Sequence, residues 1–178
     1  AISNLYEKKK DYKKAISYLK KAREINPNDI FIVSDLGLIF HLIEDYDSAI
    51  EIYQQGLKIK ENDPQILNRL GFALRVKKDF TQATEVFKTG LNLFPKNTSL
   101  LNGLGDVYKD LGDYEKAITF YRKSEELIPK DKFTLYDIGN LLSKMGNKKE
   151  AIEYYQKVLD LYPNFTFALN ELAYEYYF

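Results

Sequence analysis

The stretch TSLLNGLGDVYKDLGDYEKAITFYRKSEELIPKD occupies residues 98–131, and its pattern returns along the chain at a step of 34 residues. Its landmarks are Leu104, Gly105, Tyr108, Ala117, Tyr121 and Pro129. One step toward the N-terminus they become Leu70, Gly71, Leu74, Ala83, Phe87 and Pro95, and a second step gives Leu36, Gly37, Phe40, Ala49 and Tyr53. One step toward the C-terminus gives Ile138, Gly139, Leu142, Ala151, Tyr155 and Pro163. Self-similarity at a fixed period of this size marks an array of stacked supersecondary units.

Within each unit the apolar spacing predicts two helices and a turn. Leu101, Leu104, Val107, Tyr108 and Leu111 follow the three-and-four rhythm of one helix, and Ala117, Ile118, Tyr121, Ser124, Glu125 and Ile128 cover a second. Turns are expected at Lys10-Asp11, Glu44-Asp45, Lys78-Asp79, Gly112-Asp113 and Gly146-Asn147, where Gly or a turn-tolerant Asp or Asn ends one helix and starts the next. Asp29, Asp63, Asn97 and Asp131 stand where an N-cap is wanted, and Pro64 then takes the first helical position, whose N–H needs no partner.

This frame predicts a single all-α array over residues 1–178, with units at 30–63, 64–97, 98–131 and 132–165 and partial units at 1–29 and 166–178. Ile2, Ser3 and Tyr6 fall on the Leu-Gly-Tyr landmarks of the first partial unit. Both ends are expected to be cut from a longer array. Tyr174, Tyr176, Tyr177 and Phe178 are the reverse of the polar cap that closes a solenoid.

Small residues carry the packing expectation. Gly37, Gly71, Gly105 and Gly139 lie inside helices, where each costs about 1 kcal/mol relative to Ala, so their recurrence predicts close approach of a partner helix. Ala15, Ala49, Ala83, Ala117 and Ala151 are expected to answer from the second helix. Tyr12, Tyr46, Phe80 and Tyr114 return at the turn, and Leu19, Tyr53, Phe87, Tyr121 and Tyr155 on the second helix, as packing between helices.

Composition excludes several functions. Net charge is zero, so nothing global favours nucleic acid, and no apolar run approaches the ~20 residues of a membrane span. Charge alternates locally, from net +5 over residues 1–24 to −6 over 25–63, +4 over 64–97 and −3 over 98–178. That pattern suits solvated faces with attractive neighbours, or a basic N-terminal patch for an acidic partner. There is no cysteine and one histidine, His41, so disulfides, thiolate metal sites, multi-His metal sites and His-paired nucleophiles are not expected. Gly103-Leu-Gly105 lies mid-helix without the strand a phosphate loop requires, so no cofactor and no catalytic residue is expected. Asn97-Thr98-Ser99 and Asn164-Phe165-Thr166 match the glycosylation sequon by chance in an Asn-rich chain. The first residues lack the layout of a secretory leader.

The Leu-Gly…Tyr…Ala…aromatic…Pro order at this period resembles the tetratricopeptide-repeat family from end to end. The resemblance implies a right-handed superhelical solenoid of antiparallel helix-turn-helix repeats whose first helices line a concave, partner-binding groove. The family often carries Trp in the first helix; here Val33, Leu67, Leu101, Leu135 and Leu169 fill that place.

Carried over residue by residue, the implied groove comprises Phe31, Ser34, Asp35, Leu38 and His41, then Gln65, Asn68, Arg69, Phe72 and Arg75. It continues with Asn102, Asp106 and Lys109, then Phe133, Tyr136, Asp137 and Asn140. Asn68 and Asn102 suit a ligand backbone, because an amide both donates and accepts. Phe31, Phe72, Phe133 and Tyr136 suit apolar side chains, and Arg69 with Arg75 suits a carboxylate. Against this stands the plain alternative that such residues are solvated or pack onto the next repeat. The family's carboxylate clamp for chaperone tails would fall on Asn4, Asp35 and Gln65 with Arg69; Asp35 places a negative charge there, so no chaperone-tail binder is expected.

The expected function is a protein–protein interaction scaffold that is not an enzyme, binding a partner peptide or segment in the groove. Two alternatives stand beside it. One is a substrate-recruiting arm of a larger enzyme, such as a glycosyltransferase, with its catalytic domain outside these residues. The other is self-assembly into a homo-oligomer through Tyr174, Tyr177 and Phe178.

Overall fold

The computed structural model describes residues 11–177. Ile2, Ser3, Asn4, Tyr6, Lys10 and Phe178, which carried expectations above, lie outside the described residues. The chain forms two compact units that divide between Phe94 and Pro95.

The first unit contains α1 (Tyr12–Ile25), α2 (Ile30–Leu42), α3 (Tyr46–Ile59), α4 (Pro64–Val76) and α5 (Phe80–Leu93). The second contains α6 (Thr98–Asp110), α7 (Tyr114–Leu127), α8 (Lys132–Lys144), α9 (Lys148–Leu161) and α10 (Thr166–Tyr177). Helices pair as hairpins, α2 with α3, α4 with α5, α6 with α7 and α8 with α9. Within each unit the second helix of one hairpin also packs on the first helix of the next. No strand occurs among the described residues.

Local chemistry sets these boundaries. Asp29, Asp63, Asn97 and Asp131 cap the first helices through their side chains, on the backbone N–H groups of Phe31, Gln65 with Ile66, Leu100 and Thr134. Such caps are each worth about 1 kcal/mol. Asp11, Asp45, Asp79 and Asp113 do the same for α1, α3, α5 and α7. Asn147 makes no such cap, and its amide bonds Glu150 instead. The turn residue before each cap is left-handed: Glu44, Lys78, Gly112 and Gly146 have φ of 63°, 63°, 79° and 79°. The Asp therefore serves as the cap, and the residue before it bears the strain, which Gly relieves at only two of the four turns.

The mid-helix glycines meet rings. A Cβ on Gly71 would lie 2.6 Å from the Phe87 ring, and one on Gly105 or Gly139 would lie 2.7 Å from Tyr121 or Tyr155. Gly37 faces Tyr53 in the same way. Close approach was expected with alanines answering; the groups that fill the space are the aromatic rings of the second helix. Ala15, Ala49, Ala83, Ala117 and Ala151 are each fully buried alongside them. Val33, Leu67, Leu101 and Leu135 fill the core as expected, whereas Leu169 is 46% exposed because the described residues place no second helix over α10.

Gly71→Ala gains about 1 kcal/mol of helix propensity but forces its methyl into the Phe87 ring, an overpacking that costs ~1–3 kcal/mol. Urea unfolding should show a lower midpoint for Gly71→Ala, with partial recovery when Phe87→Leu is added.

Candidate functional site

In the first unit, α2 and α4 lie side by side and present the expected groove residues. Phe31 is 77% exposed near the start of α2; Ser34, Asp35, Leu38 and His41 are half-buried along it. On α4, Gln65 is exposed, Asn68, Arg69 and Arg75 are half-buried, and Phe72 is exposed.

Leu38, His41, Tyr53, Asn68, Arg69 and Phe72 line a cleft of about 110 Å³. The His41 ring packs edge-on against Tyr46 at 5.1 Å and tilts against Phe72 at 5.2 Å. Arg69 Nη1 donates to the Ser34 carbonyl at 3.2 Å, and the Arg75 guanidinium sits over the Phe72 ring at 4.8 Å. Burial, assisted by the Arg69 charge, holds the His41 imidazole below its ordinary range. Burial pushes the Tyr53 hydroxyl up, with Arg69 opposing.

Several groove positions in the second unit are engaged within the chain. The Lys109 ammonium pairs with Asp106 at 3.0 Å and Asp137 at 3.1 Å. Burial would lower the Lys109 pKa, but the two carboxylates prevail and raise it. The Tyr121 hydroxyl donates to Asp106 at 2.5 Å, and the Tyr155 hydroxyl donates to Asn140 at 2.8 Å. Asn102 donates its amide to the Thr134 hydroxyl at 3.0 Å, and that hydroxyl donates to Asp131 at 2.5 Å.

Phe133 and Tyr136 belong to an aromatic surface that spacing alone did not assemble. Phe165 meets Tyr136 at 5.4 Å, Phe167 at 5.6 Å and Phe133 at 6.0 Å. Phe133 and Phe167 are 58% and 61% exposed. Lys132 lies over the rings of Phe133, Tyr162 and Phe165 at 5.0–5.6 Å. The repeat register held the signal for Phe167, which stands one 34-residue step after Phe133. Phe165 sits just before α10 and needed the tertiary contacts to be seen. On α10, Tyr174 and Tyr177 are 56% and 81% exposed.

Among the described residues no group of three or more His, Cys, Asp or Glu is placed to hold a metal ion. No helix among them is long and apolar enough to cross a membrane.

Capped helix hairpins repeating at 34 residues, each closed by a ring on a glycine, define an α-helical repeat protein. The chain belongs to the tetratricopeptide-repeat family, whose model matches residues 1–62, 63–130 and 98–164. Among solved structures it resembles MamA of Desulfovibrio magneticus RS-1, taken from position 41 to the end, at 24% identity and a TM-score of 0.78, covering 90% of each chain. It also resembles YrrB, described as a TPR protein with an unusual peptide-binding site, at 19% identity and a TM-score of 0.71, covering 95% of this chain and 87% of that one. PilF of Pseudomonas aeruginosa matches at 19% identity and a TM-score of 0.77, covering 95% and 85%. At these identities the likeness speaks for the fold. A search of curated proteins returned no significant match.

The depressed His41 pKa has a signed consequence. The unfolded chain takes the proton more readily, so stability present above the ordinary imidazole range, near 6.5, is lost as pH falls through it. The melting temperature should drop between about pH 7.5 and 5.5, and His41→Gln should flatten that part of the profile.

Proposed function

We propose that the chain is a protein-interaction module that grips a partner segment on the exposed faces of its first helices. The observation that carries this is the exposure of large apolar side chains on the first helices, three of them at one register position. Phe31, Phe133 and Phe167 are more than half exposed, and Phe72 is 37% exposed beside polar groups. Exposed rings beside hydrogen-bonding side chains are the usual signature of a recognition surface. The peptide-binding site for which the structurally similar YrrB is described is consistent with this use of the fold.

In this reading, affinity comes from burial of partner side chains against Phe31, Phe72, Phe133 and Tyr136. Asn68, Arg69 and Arg75 fix orientation by hydrogen bonding. Asn102, Lys109 and Asn140, already bonded within the chain, hold the face of the second unit in shape and contact a partner through their remaining groups. Asp35 and His41 flank the apolar anchors on α2.

Peptides selected from a random library against this chain should lose about tenfold in affinity, or more, on Phe72→Ala or Phe133→Ala. Glu126→Ala, an exposed change on α7, should leave them unaffected. Equal affinity across these variants by calorimetry would remove the reading.

A second reading, self-association through α10, rests on the exposure of Leu169, Tyr174, Tyr176 and Tyr177. Light scattering should then show mass rising with concentration, and Tyr174→Ser with Tyr177→Ser should hold it at the monomer value of 20.8 kDa.

A further inference from the structure

The ring on each mid-helix glycine has a companion at one position of the facing first helix. Tyr121 has Asp106 and Tyr155 has Asn140, each accepting the tyrosine hydroxyl. Phe87 has Phe72 at the matching position, and neither needs a partner. Rings and companions therefore agree in polarity, except in one repeat. There the ring is Tyr53 and the companion is Leu38, which has no acceptor to offer.

Among the described residues the Tyr53 hydroxyl donates to no acceptor. The polar group beside its hydroxyl is the Arg69 guanidinium, which is also a donor. Arg69 donates to the Ser34 carbonyl and to the Tyr53 hydroxyl oxygen and makes no ion pair among the described residues. Asp35, one turn before Leu38 on α2, is not paired with it. A guanidinium has five N–H donors, so several remain for an anion. Tyr53, Arg69 and Asn68 line the same cleft, with Phe72 and His41 beside them. A half-buried cation and a tyrosine hydroxyl thus face a space that holds no carboxylate.

The repeat two steps on shows what fits there. At the place of Leu38, Asp106 sits with one oxygen 2.5 Å from the Tyr121 hydroxyl and 3.0 Å from the Lys109 ammonium. We propose that the cleft between Leu38 and Arg69 is a carboxylate-binding site, in which a partner's carboxylate takes the place that Asp106 occupies against Tyr121. Tyr53 and Arg69 hold the oxygens, and Phe72 receives the apolar side chain next to the acidic residue. This inference rests on the interaction-module reading and names the partner chemistry for one of its faces: an acidic residue followed by an apolar one.

The test uses three small probes on the whole chain, followed by backbone amide shifts in NMR titrations. They are acetyl-Glu-Leu-amide, acetyl-Gln-Leu-amide, and acetyl-Gln-Leu with a free terminal carboxylate. The Glu probe should shift Leu38, His41, Asn68, Arg69 and Phe72 and saturate in the millimolar range, with the Gln amide about tenfold weaker or worse. Binding by the free-terminus probe would assign the site to a chain end, and its absence to an acidic side chain; both support a carboxylate site.

Tyr53→Phe and Arg69→Gln should each bring the Glu probe down to the Gln level. Tyr53→Phe removes only a hydroxyl whose O–H has no acceptor among the described residues and whose oxygen takes one hydrogen bond from Arg69, so the fold should persist. Leu38→Asp, which installs the carboxylate within the chain, should raise the melting temperature and abolish the Glu probe's shifts. Equal shifts from the Glu and Gln amides, no shifts from any probe, or Glu binding undiminished by Leu38→Asp would overturn the proposal. Library peptides that still depend on Phe133 in that case would show that the interaction module stands without this site.

Discussion

The contact of an aromatic ring with a bare helix backbone governs how closely the two helices of each hairpin can pack. Gly37, Gly71, Gly105 and Gly139 leave room for Tyr53, Phe87, Tyr121 and Tyr155, and any Cβ would overlap the ring. These four rings are among the largest fully buried side chains of the protein. Each carries a large apolar area, so its burial offsets the helix propensity lost at the glycine. Fully buried alanines on the same second helices complete the seam. The hairpin spacing, and through it the faces left to solvent, follows from this one fit.

The same rings connect packing to polar chemistry. A buried tyrosine brings a hydroxyl into a poorly solvated place, and an unmade hydrogen bond there costs about 1–3 kcal/mol. Asp106 and Asn140 meet that demand for Tyr121 and Tyr155, and Asp106 in turn pairs with Lys109, which also pairs with Asp137. Residues that look like groove contacts in a register are therefore partly structural in the second unit. In the first unit Leu38 breaks the arrangement, and among the described residues the Tyr53 hydroxyl proton has no acceptor.

The two units consequently present different chemistry. The first offers Arg69, Asn68 and Tyr53 around a small cleft with Phe72 at its edge. The second offers a cluster of rings, Phe133, Tyr136, Phe165 and Phe167, while Lys109 is paired with Asp106 and Asp137. Recognition that depends on hydrogen-bonded charge and recognition that depends on ring burial differ in their response to salt. Screening weakens the first far more than the second.

Period and chemistry along the chain were enough for the family, the helix pairs, the caps and the buried face. Each of these depends on neighbours within one repeat: Asp131 caps its own helix, and Gly105 recurs at a fixed step from Tyr121. Side-chain availability was not legible in this way, because it depends on residues about 30 positions away. Lys109 is spoken for by Asp137, Asn102 by Thr134, and Phe133 is joined by Phe165. Arg69 and Lys109 are both cations on first helices, yet among the described residues only Lys109 is in an ion pair. The sequence by itself determined a tandem helical-repeat protein with aromatic and polar candidates on its first helices. Only the tertiary structure decided which candidates remain available, because a hydrogen bond or ion pair formed across helices consumes the group that a partner would otherwise use.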